Sequence, residues 1–142
     1  MTDLYQQTIV DHARRPRNFG PLPGANRSAE GTNPLCGDEL ILRLRLGDRI
    51  EAVAFEGAGC AVCLASASMM TLAVKGCSAS EAVRLMQRVR ELVAGGNGAN
   101  LGELESLKGV ARYPARRKCA LLAWRALEAA LAGETTKVST EL

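Results

Sequence analysis

Hydrophobic and polar residues alternate in two neighbouring segments of the chain, and this pattern predicts two β-strands. In the run LILRLRL, residues 40–46, leucine fills every second position. Residues 47–48, Gly-Asp, suit a tight turn, and Ile50, Ala52 and Ala54 alternate with other residues in the next run, RIEAVAFEG. Strands joined by so short a turn pair antiparallel, because a parallel pair needs a long crossover. The pattern therefore predicts an antiparallel sheet with one face in solvent.

Helical spacing of hydrophobic residues, together with capping and helix-breaking residues, predicts four helices. The first is capped by Thr2 or Asp3 and stopped by Pro16, and a capping box of Ser78 and Glu81 opens the third. We expect helices over residues 3–14, 61–76, 79–94 and 114–132, a short helix over residues 101–110 and a loop over residues 18–33.

These elements predict an α+β fold, in which a small antiparallel sheet of three strands, or slightly more, is covered by helices on one face. The hydrophobic content of 47% suffices for a core, and with only 4% aromatic residues that core should be aliphatic. No repeat or linker divides the sequence. We expect one domain over residues 1–142, with a polar tail that frays from about residue 133.

Charge and composition restrict the function classes. A net charge of +3 is modest, and the two basic clusters, 12–17 and 111–118, do not alternate with aromatic residues in the way of a single-strand binder, so neither gives a case for nucleic-acid binding. We find no signal peptide and no apolar run of transmembrane length, so we expect a cytoplasmic protein that does not bind membranes. In that reducing compartment the five cysteines are metal ligands, reactive thiols or small buried residues rather than a disulfide framework.

A cysteine and an aspartate flank Gly37 in the stretch NPLCGDEL, just before the first predicted strand. Glycine lets the backbone turn sharply there, so Cys36 and Asp38 are able to point at one spot. From these residues alone, three interpretations are open: a structural turn, a metal site and an activated nucleophile.

Two further cysteines lie at predicted element boundaries, where binding groups tend to occur. Cys60 is at the junction of the sheet and the first covering helix, and Cys119 is in the first turn of the last helix. By contrast, we interpret Cys63 and Cys77 as small buried or surface cysteines, and His12 as a surface or capping residue. Cys60-x-x-Cys63 also has the spacing of a redox pair, but a thioredoxin-like site needs a βαβ unit that the pattern does not predict.

Three cysteine-centred motifs in order, NPLCGD, GAGCAVCLASASMM and RRKCALLAWRAL, resemble the U-type iron–sulfur cluster assembly proteins, the family of IscU, SufU and the N-terminal domain of NifU. The opening segment LYQQTIVDHARRPRNFGPL is similar to that family too, so the likeness extends from about Leu4 to Leu131. The resemblance implies a SufE/NifU-like α+β fold. It also implies that one metal centre is held by four ligands, Cys36, Asp38, Cys60 and Cys119.

The chemistry of this ligand set agrees with the resemblance. Three thiolates suit zinc or an iron–sulfur unit, whereas a carboxylate is a harder and more weakly held ligand. Asp38 is therefore expected to be the ligand that opens. The basic residues 116–118 and the positive end of the last helix should steady the centre and lower the pKa of Cys119.

The sequence departs from the family pattern at two places, and both features are similar to those of SufU-type proteins. IscU-type members carry a histidine before the last cysteine, where this chain has Lys118, and residues 85–104 look like an insertion. The branch implies a zinc-bound partner of a cysteine desulfurase that receives persulfide sulfur and passes it on. The family often has serine where this chain has Cys63, which leaves a ligand swap or a second sulfur acceptor open.

Two functions from different classes follow from the resemblance. The first is a zinc-dependent sulfur relay, close to a sulfurtransferase, in which Cys36 is the favoured nucleophile and Cys119 the second candidate. The alternative is a non-enzymatic scaffold on which a [2Fe–2S] cluster is built on the same ligands and handed to a downstream scaffold or apo-protein acceptors. A purely structural zinc site is the third interpretation, but so aliphatic a chain should not need one to fold.

Overall fold

The structure, a computed structural model, describes residues 3–98, 100–133 and 138–139. Within these ranges a run of three strands is followed by a run of helices, the order expected of an α+β fold. The strands are β1 (Arg27–Asn33), β2 (Asp38–Leu46), β3 (Ile50–Ala58) and β4 (Val138–Ser139); the helices are α1 (Asp3–Arg14), α2 (Ala61–Val74), α3 (Ala79–Val93) and α4 (Pro114–Leu131), with a 3₁₀ segment, Gly102–Arg112.

The strands form one sheet in the order β3-β2-β1-β4. The pairs β1–β2 and β2–β3 are antiparallel, as predicted, and the two-residue β4 adds a parallel pair at the β1 edge. The α+β architecture is confirmed, with four strands instead of three. Within the predicted polar tail, Val138 and Ser139 form β4, the other tail residues, 134–137 and 140–142, lie outside the described residues, and the fraying stays a prediction.

Strand β1 occupies part of the segment that we predicted as a loop, residues 18–33, and that prediction is wrong there. Its buried positions hold Ala29, Gly31 and Asn33, so the strand carries no hydrophobic alternation. Gly31 lies directly beneath α4: a Cβ at this position would be 3.0 Å from Cδ1 of Leu122. Small side chains therefore let β1 approach the helix, and they also remove the sequence signal of a strand.

The face assignment of β3 is also corrected by the structure. The predicted alternation puts Ile50, Ala52 and Ala54 on one face of the strand, but a register shift next to Leu46 inserts an extra residue after Ile50. After the shift, Phe55 is the fully buried residue on that face, opposite Leu42 of β2. A β-bulge changes which alternate residues point inward, and the sequence pattern did not reveal it.

The core lies between the inner face of the sheet and the helices. The alternate leucines of β2 behave as predicted, with Leu40, Leu42 and Leu44 buried. Helix α2 packs close to α4 because its inward positions are small: Ser66 Oγ donates a hydrogen bond to Ala120 O of α4 (2.6 Å) and accepts one from Nε1 of the buried Trp124 (3.1 Å).

Helix ends agree with the predicted signals where they are described. Helix α1 ends at Arg14, two residues before Pro16, and α4 begins at Pro114. The capping box of α3 is confirmed, since Glu81 N–H donates to Ser78 Oγ (3.2 Å) and Ser78 N–H donates to Glu81 Oε1 (2.8 Å). The predicted cap of α1 at Thr2 or Asp3 rests on a residue and a side chain outside the described part of the structure. Within the described ranges, none of the helices has both the length and the apolar character that crossing a membrane requires.

His12 is fully buried, so its predicted surface or capping role is wrong. Its Nδ1 is 2.7 Å from Ser68 Oγ of α2, and its Nε2 is 3.2 Å from Glu103 Oε1 of the 3₁₀ segment. Ser68 Oγ also accepts a hydrogen bond from the backbone N–H of Arg17 (2.8 Å). The imidazole thus joins three elements, in a space that the small residues of α2 leave open.

Replacing this side chain should destabilise the fold. We expect His12→Ala to lower the free energy of unfolding by roughly 2–4 kcal/mol, because it leaves a cavity and removes hydrogen bonds from buried groups. Urea denaturation would measure the change, and Arg14→Ala, an exposed position on the same helix, should shift the free energy by less than about 0.5 kcal/mol. Equal effects of the two substitutions would show that the buried network contributes nothing to stability.

Candidate metal centre

The turn between β1 and β2 places a thiol and a carboxyl group at one end of the sheet. Residues 34–37 connect the paired residues Asn33 and Asp38, and Cys36 N–H donates to Asn33 O (3.2 Å). Gly37 has φ of 70°, a left-handed conformation that glycine adopts without a steric penalty. Cys36 is half-buried and Asp38 is buried, so this turn carries one accessible and one enclosed group.

Cys119 approaches the same point from α4. Its Sγ is 3.3 Å from Cys36 Sγ, and the ligand atoms of Cys36, Asp38 and Cys119 all lie within 4.8 Å of one another. Cys119 is fully buried and lies in the second turn of the helix, not the first turn as predicted, because residues 114–118 of α4 precede it. Three of the four predicted ligands are therefore brought together by the fold.

Cys60, the fourth predicted ligand, borders this cluster without joining its tight set. It is half-buried and is the residue that caps the N-terminus of α2. Its backbone N–H donates to Asp38 Oδ1 (2.8 Å), which ties the start of the helix to the carboxylate. Its thiol is near enough to Cys119 to contribute to the raised pKa of that residue.

Asn33 is a site residue that sequence reasoning missed, although it stands in the motif NPLCGD. It is fully buried, and its Nδ2 donates to Asp38 Oδ2 (3.0 Å) and to Cys119 Sγ (3.3 Å). A side-chain amide has two N–H donors, so one group can serve both acceptors. Both oxygens of Asp38 are consequently hydrogen-bonded, Oδ2 by Asn33 and Oδ1 by Cys60.

Gly59 was also missed as a site residue. A Cβ at this position would lie 2.6 Å from Asp38 Oδ1 and 3.1 Å from its Cγ, closer than packed atoms allow. The absence of a side chain at Gly59 therefore creates the space that the Asp38 carboxylate occupies. The glycine before Cys60 in the motif GAGC was the available sequence signal.

The predicted lowering of the Cys119 pKa is wrong. Burial raises the pKa of Cys119, and hydrogen bonds with Cys36, Asp38 and Cys60 raise it further. The exposed Arg116 does reach the site, since its hydrogen bond to Cys119 raises the pKa of the guanidinium.

The two arginines of the basic triplet that precedes Cys119 point in different directions. Arg116 faces the thiol cluster, whereas Arg117 turns away from it. The Nε of Arg117 donates to Ala111 O at 2.7 Å, at the end of the 3₁₀ segment. The positive charge near the site thus comes from an exposed residue, and burial outweighs it in setting the Cys119 pKa.

The two other cysteines differ from each other. Cys63, in the first turn of α2, is 1% exposed, and burial raises its pKa, with smaller contributions from the charges of Asp38, Cys60 and Cys36. Cys77 is half-buried before α3, and its Sγ lies 3.5 Å from Ala73 O. Neither belongs to the tight cluster of three ligand atoms.

The donor set fits a soft divalent metal ion such as zinc. In a tetrahedral site with Zn–S bonds of about 2.3 Å, two sulfurs are about 3.8 Å apart. The separation of 3.3 Å between Cys36 and Cys119 is near that value, so a small outward movement would admit an ion. Asp38 keeps lone pairs for a metal, because Asn33 and Cys60 each occupy a different oxygen and the hydrogen bond with Cys119 would be lost when that thiol binds a metal as the thiolate.

Comparison with known proteins gives consistent results over most of the chain. The family model of the NifU-like N terminal domain matches residues 4–139. The zinc-dependent sulfurtransferase SufU of Bacillus subtilis (strain 168) is 42% identical over 135 residues, covering 92% of this chain and 91% of that protein. The iron-sulfur cluster assembly scaffold protein IscU of Streptococcus pyogenes serotype M1 is also 42% identical over 135 residues, covering 92% of this chain and 84% of that protein.

Solved structures support the same assignment. The crystal structure of a putative iron-sulfur cluster assembly scaffold protein for the SUF system from Fervidobacterium islandicum AW-1 aligns with a TM-score of 0.83 at 34% identity, covering 88% of this chain and 94% of that one. The N-terminal part of a NifU-like protein from Brucella abortus has the same fold, with a TM-score of 0.85 at 23% identity over 92% and 94% of the two chains. The resemblance of the three cysteine motifs is confirmed, and the chain belongs to the NifU-like N-terminal domain family.

Proposed function

We propose that this protein acts in iron–sulfur cluster biogenesis as a zinc-bound acceptor that takes persulfide sulfur from a cysteine desulfurase and passes it on. The observation that carries the proposal is the cluster of two thiols and a carboxylate, in which Cys36 alone combines partial exposure with a place on a turn. The 42% identity to a protein named zinc-dependent sulfurtransferase supports it.

The residues that would hold zinc are Cys36, Asp38, Cys60 and Cys119. When bound, zinc keeps coordinated thiols in the thiolate form at neutral pH, which is the nucleophilic form. The protein itself contributes the arrangement of the ligands. The β1–β2 turn, the start of α2 and the second turn of α4 each bring one part of the set to the same point.

Cys36 is the proposed sulfur acceptor because its surroundings differ from those of Cys119. Cys119 is fully buried on a helix, and its sulfur accepts a hydrogen bond from Asn33, which weakens it as a nucleophile. Cys36 is half-buried on a turn that Gly37 makes possible. Its thiolate attacks the outer sulfur of the desulfurase persulfide, a new sulfur–sulfur bond forms at Cys36, and the desulfurase cysteine departs as the thiolate.

Asp38 is the proposed labile ligand. A buried carboxylate is costly unless it is hydrogen-bonded, and Asp38 has such partners that do not depend on a metal: the amide of Asn33 and the N–H of Cys60. Asp38 can therefore leave a metal ion without becoming an unsatisfied buried charge. This property suits a site whose occupant must be exchanged.

The partner surface is proposed to surround the accessible thiol. Leu35, which precedes Cys36 in the turn, is 67% exposed, and Tyr113 at the start of α4 is 58% exposed. A desulfurase that covers Cys36 would bury the Leu35 side chain, and the exposed Arg116 would offer it a positive charge. Exposed apolar side chains beside a reactive group are typical of interaction sites.

A second candidate function is a scaffold for a [2Fe–2S] cluster, which would be the cargo of the same four residues. Relatives named as cluster assembly scaffolds support this candidate, including the IscU proteins of Streptococcus pyogenes serotype M1 and Thermotoga maritima, which is 35% identical over 131 residues. Apo-proteins or a downstream scaffold would receive the cluster.

Sulfur acceptance is the first property to measure. We expect the zinc-loaded protein, incubated anaerobically with cysteine, ferrous iron and a cysteine desulfurase, to gain one sulfur atom on Cys36 while zinc stays bound. Peptide mass spectrometry would locate the sulfur, and bound metal and visible absorption would be followed together. Cys36→Ser should lose most of the uptake, whereas Cys77→Ser, a change outside the cluster, should keep it.

Other results of that experiment would overturn the relay. If iron and sulfide replace zinc and a transferable cluster develops, the protein is a scaffold. If Cys36→Ser takes up sulfur as the parent does, Cys36 is not the acceptor.

Removing the proposed labile ligand should slow exchange at the site. We expect Asp38→Ala to release bound zinc or a cluster more slowly than the parent protein, because the exchangeable carboxylate is absent. Transfer of the metal to a chromophoric chelator would measure the rate, with Asp48→Ala, in the exposed β2–β3 turn, as the control. Faster loss of the metal from Asp38→Ala would contradict the role given to Asp38.

The space at Gly59 gives a test that keeps all four proposed ligands. Gly59→Ala places a methyl group 2.6 Å from the Asp38 oxygen and must displace the carboxylate, so zinc affinity should fall by about tenfold or more. Competition with a chromophoric chelator would measure the affinity. The matched control is Gly47→Ala, where the added methyl group meets only the flexible Glu51 side chain. An unchanged affinity in Gly59→Ala would mean that the position of Asp38 does not matter for metal binding.

A further inference from the structure

The first turn of α2 carries two thiols, and the proposed ligand set uses only one of them. Cys60 caps the helix, and Cys63 follows three residues later inside it. We propose that Cys63 is the resolving thiol of a persulfide on Cys60, so that this pair reduces bound sulfane sulfur and releases it as sulfide. The inference rests on the proposed function, because it needs persulfide sulfur at the site.

The backbone geometry allows the two sulfurs to bond. Cys60 is the N-cap residue of α2 and has extended dihedrals, φ of −72° and ψ of 166°, while its C=O already accepts the first helical hydrogen bond, from Leu64 N–H at 3.1 Å. The Cα atoms of residues 60 and 63 are then about 5 Å apart, and an N-cap side chain lies over the first turn near the third helical residue, which here is Cys63. Disulfides in proteins have Cα separations of about 4.4–6.8 Å, so no rearrangement of the helix is required.

The two thiols differ in solvent exposure. A sulfur acceptor must be reachable by a donor, whereas a resolving thiol needs to reach only the acceptor. Cys60 is half-buried and can meet a sulfur donor, whereas Cys63 is 1% exposed and cannot. Among the residues that the structure describes, none forms a hydrogen bond with the Cys63 thiol. Cys63 is thus a buried, unpartnered thiol one helical turn from a proposed ligand.

The step balances without an added reductant. The Cys63 sulfur attacks Sγ of Cys60, the bond between these two sulfurs forms, and the bond from Cys60 Sγ to the terminal sulfur breaks. The terminal sulfur leaves as hydrosulfide and takes the proton of Cys63. The two thiols lose two electrons and the sulfane sulfur gains them. A protein dithiol must reduce the disulfide before the next cycle.

This pair would leave the tightest part of the metal site intact. A disulfide between Cys36 and Cys119, whose sulfurs are 3.3 Å apart, would remove two members of the close ligand cluster. A disulfide between Cys60 and Cys63 removes only the ligand that lies outside that cluster. Sulfur on Cys36 would then be kept for relay, while sulfur on Cys60 would be released as the sulfide that cluster building consumes.

The test uses the full-length zinc-loaded protein and inorganic polysulfide as the sulfur donor, with excess polysulfide removed and no reductant added. Released sulfide and the mass map of the cysteine peptides would be followed over time. We expect the parent protein to release sulfide and to form the Cys60–Cys63 disulfide in equal amounts. In Cys63→Ser the sulfur should stay on Cys60, with release slowed about tenfold or more, while the matched control Cys77→Ser should behave as the parent does.

Three results would overturn the inference: sulfide release by Cys63→Ser at the parent rate, a disulfide that joins Cys36 to Cys119 instead, or no sulfur on Cys60 in Cys63→Ser. The disulfide map of the parent protein decides the question even if Cys63→Ser folds poorly. Polysulfide bypasses the desulfurase. Failure of the desulfurase to load the chain would therefore count against the proposed function alone, and failure of the polysulfide experiment against this inference alone.

Discussion

The site depends on one buried carboxylate. Asp38 is 1% exposed, and burying an ionised carboxyl group is expensive unless its oxygens are hydrogen-bonded. Its partners come from different elements: Asn33 ends β1, and the N–H of Cys60 begins α2. Asn33 also donates to Cys119 of α4. Satisfying one carboxylate therefore fixes the relative positions of the hairpin and two helices, and with them the proposed ligands.

The elements that were predicted correctly are those that carry one clear sequence signal, such as hydrophobic alternation or a capping box. Strand β2 alternates leucine with other residues, and α3 has a capping box, so both were placed correctly. Strand β1 was missed because its inward residues are small, as Gly31 shows. In β3, a bulge changes which alternate residues point inward, and no residue type in the sequence indicates that bulge. Hydrophobic patterns in a sequence predict elements that bury large apolar side chains. They do not predict an element such as β1, which packs closely because its inward side chains are small or absent.

Much of the candidate site could also be predicted, because cysteines and an aspartate are chemically conspicuous. The convergence of Cys36, Asp38 and Cys119 follows from motifs in the sequence, whereas the roles of Asn33 and Gly59 are positional. An amide and a glycine gain significance only when the fold shows what they touch. The pKa of Cys119 was predicted in the wrong direction for a similar reason: basic neighbours are visible in the sequence, but complete burial is not.

The long separation within the cluster has a consequence for how the protein is made. Cys36 and Cys119 meet across 83 positions of the chain, and a chain is synthesised from its N-terminus at about 5–20 residues per second. Strands β1, β2 and β3, together with Cys36, Asp38 and the following Cys60, leave the ribosome before α4 and β4 do. A nascent chain would therefore hold three of the four proposed ligands, and the docking of α4 would add the fourth, Cys119. Completion of the proposed ligand set and completion of the fold would thus be a single late event in biosynthesis.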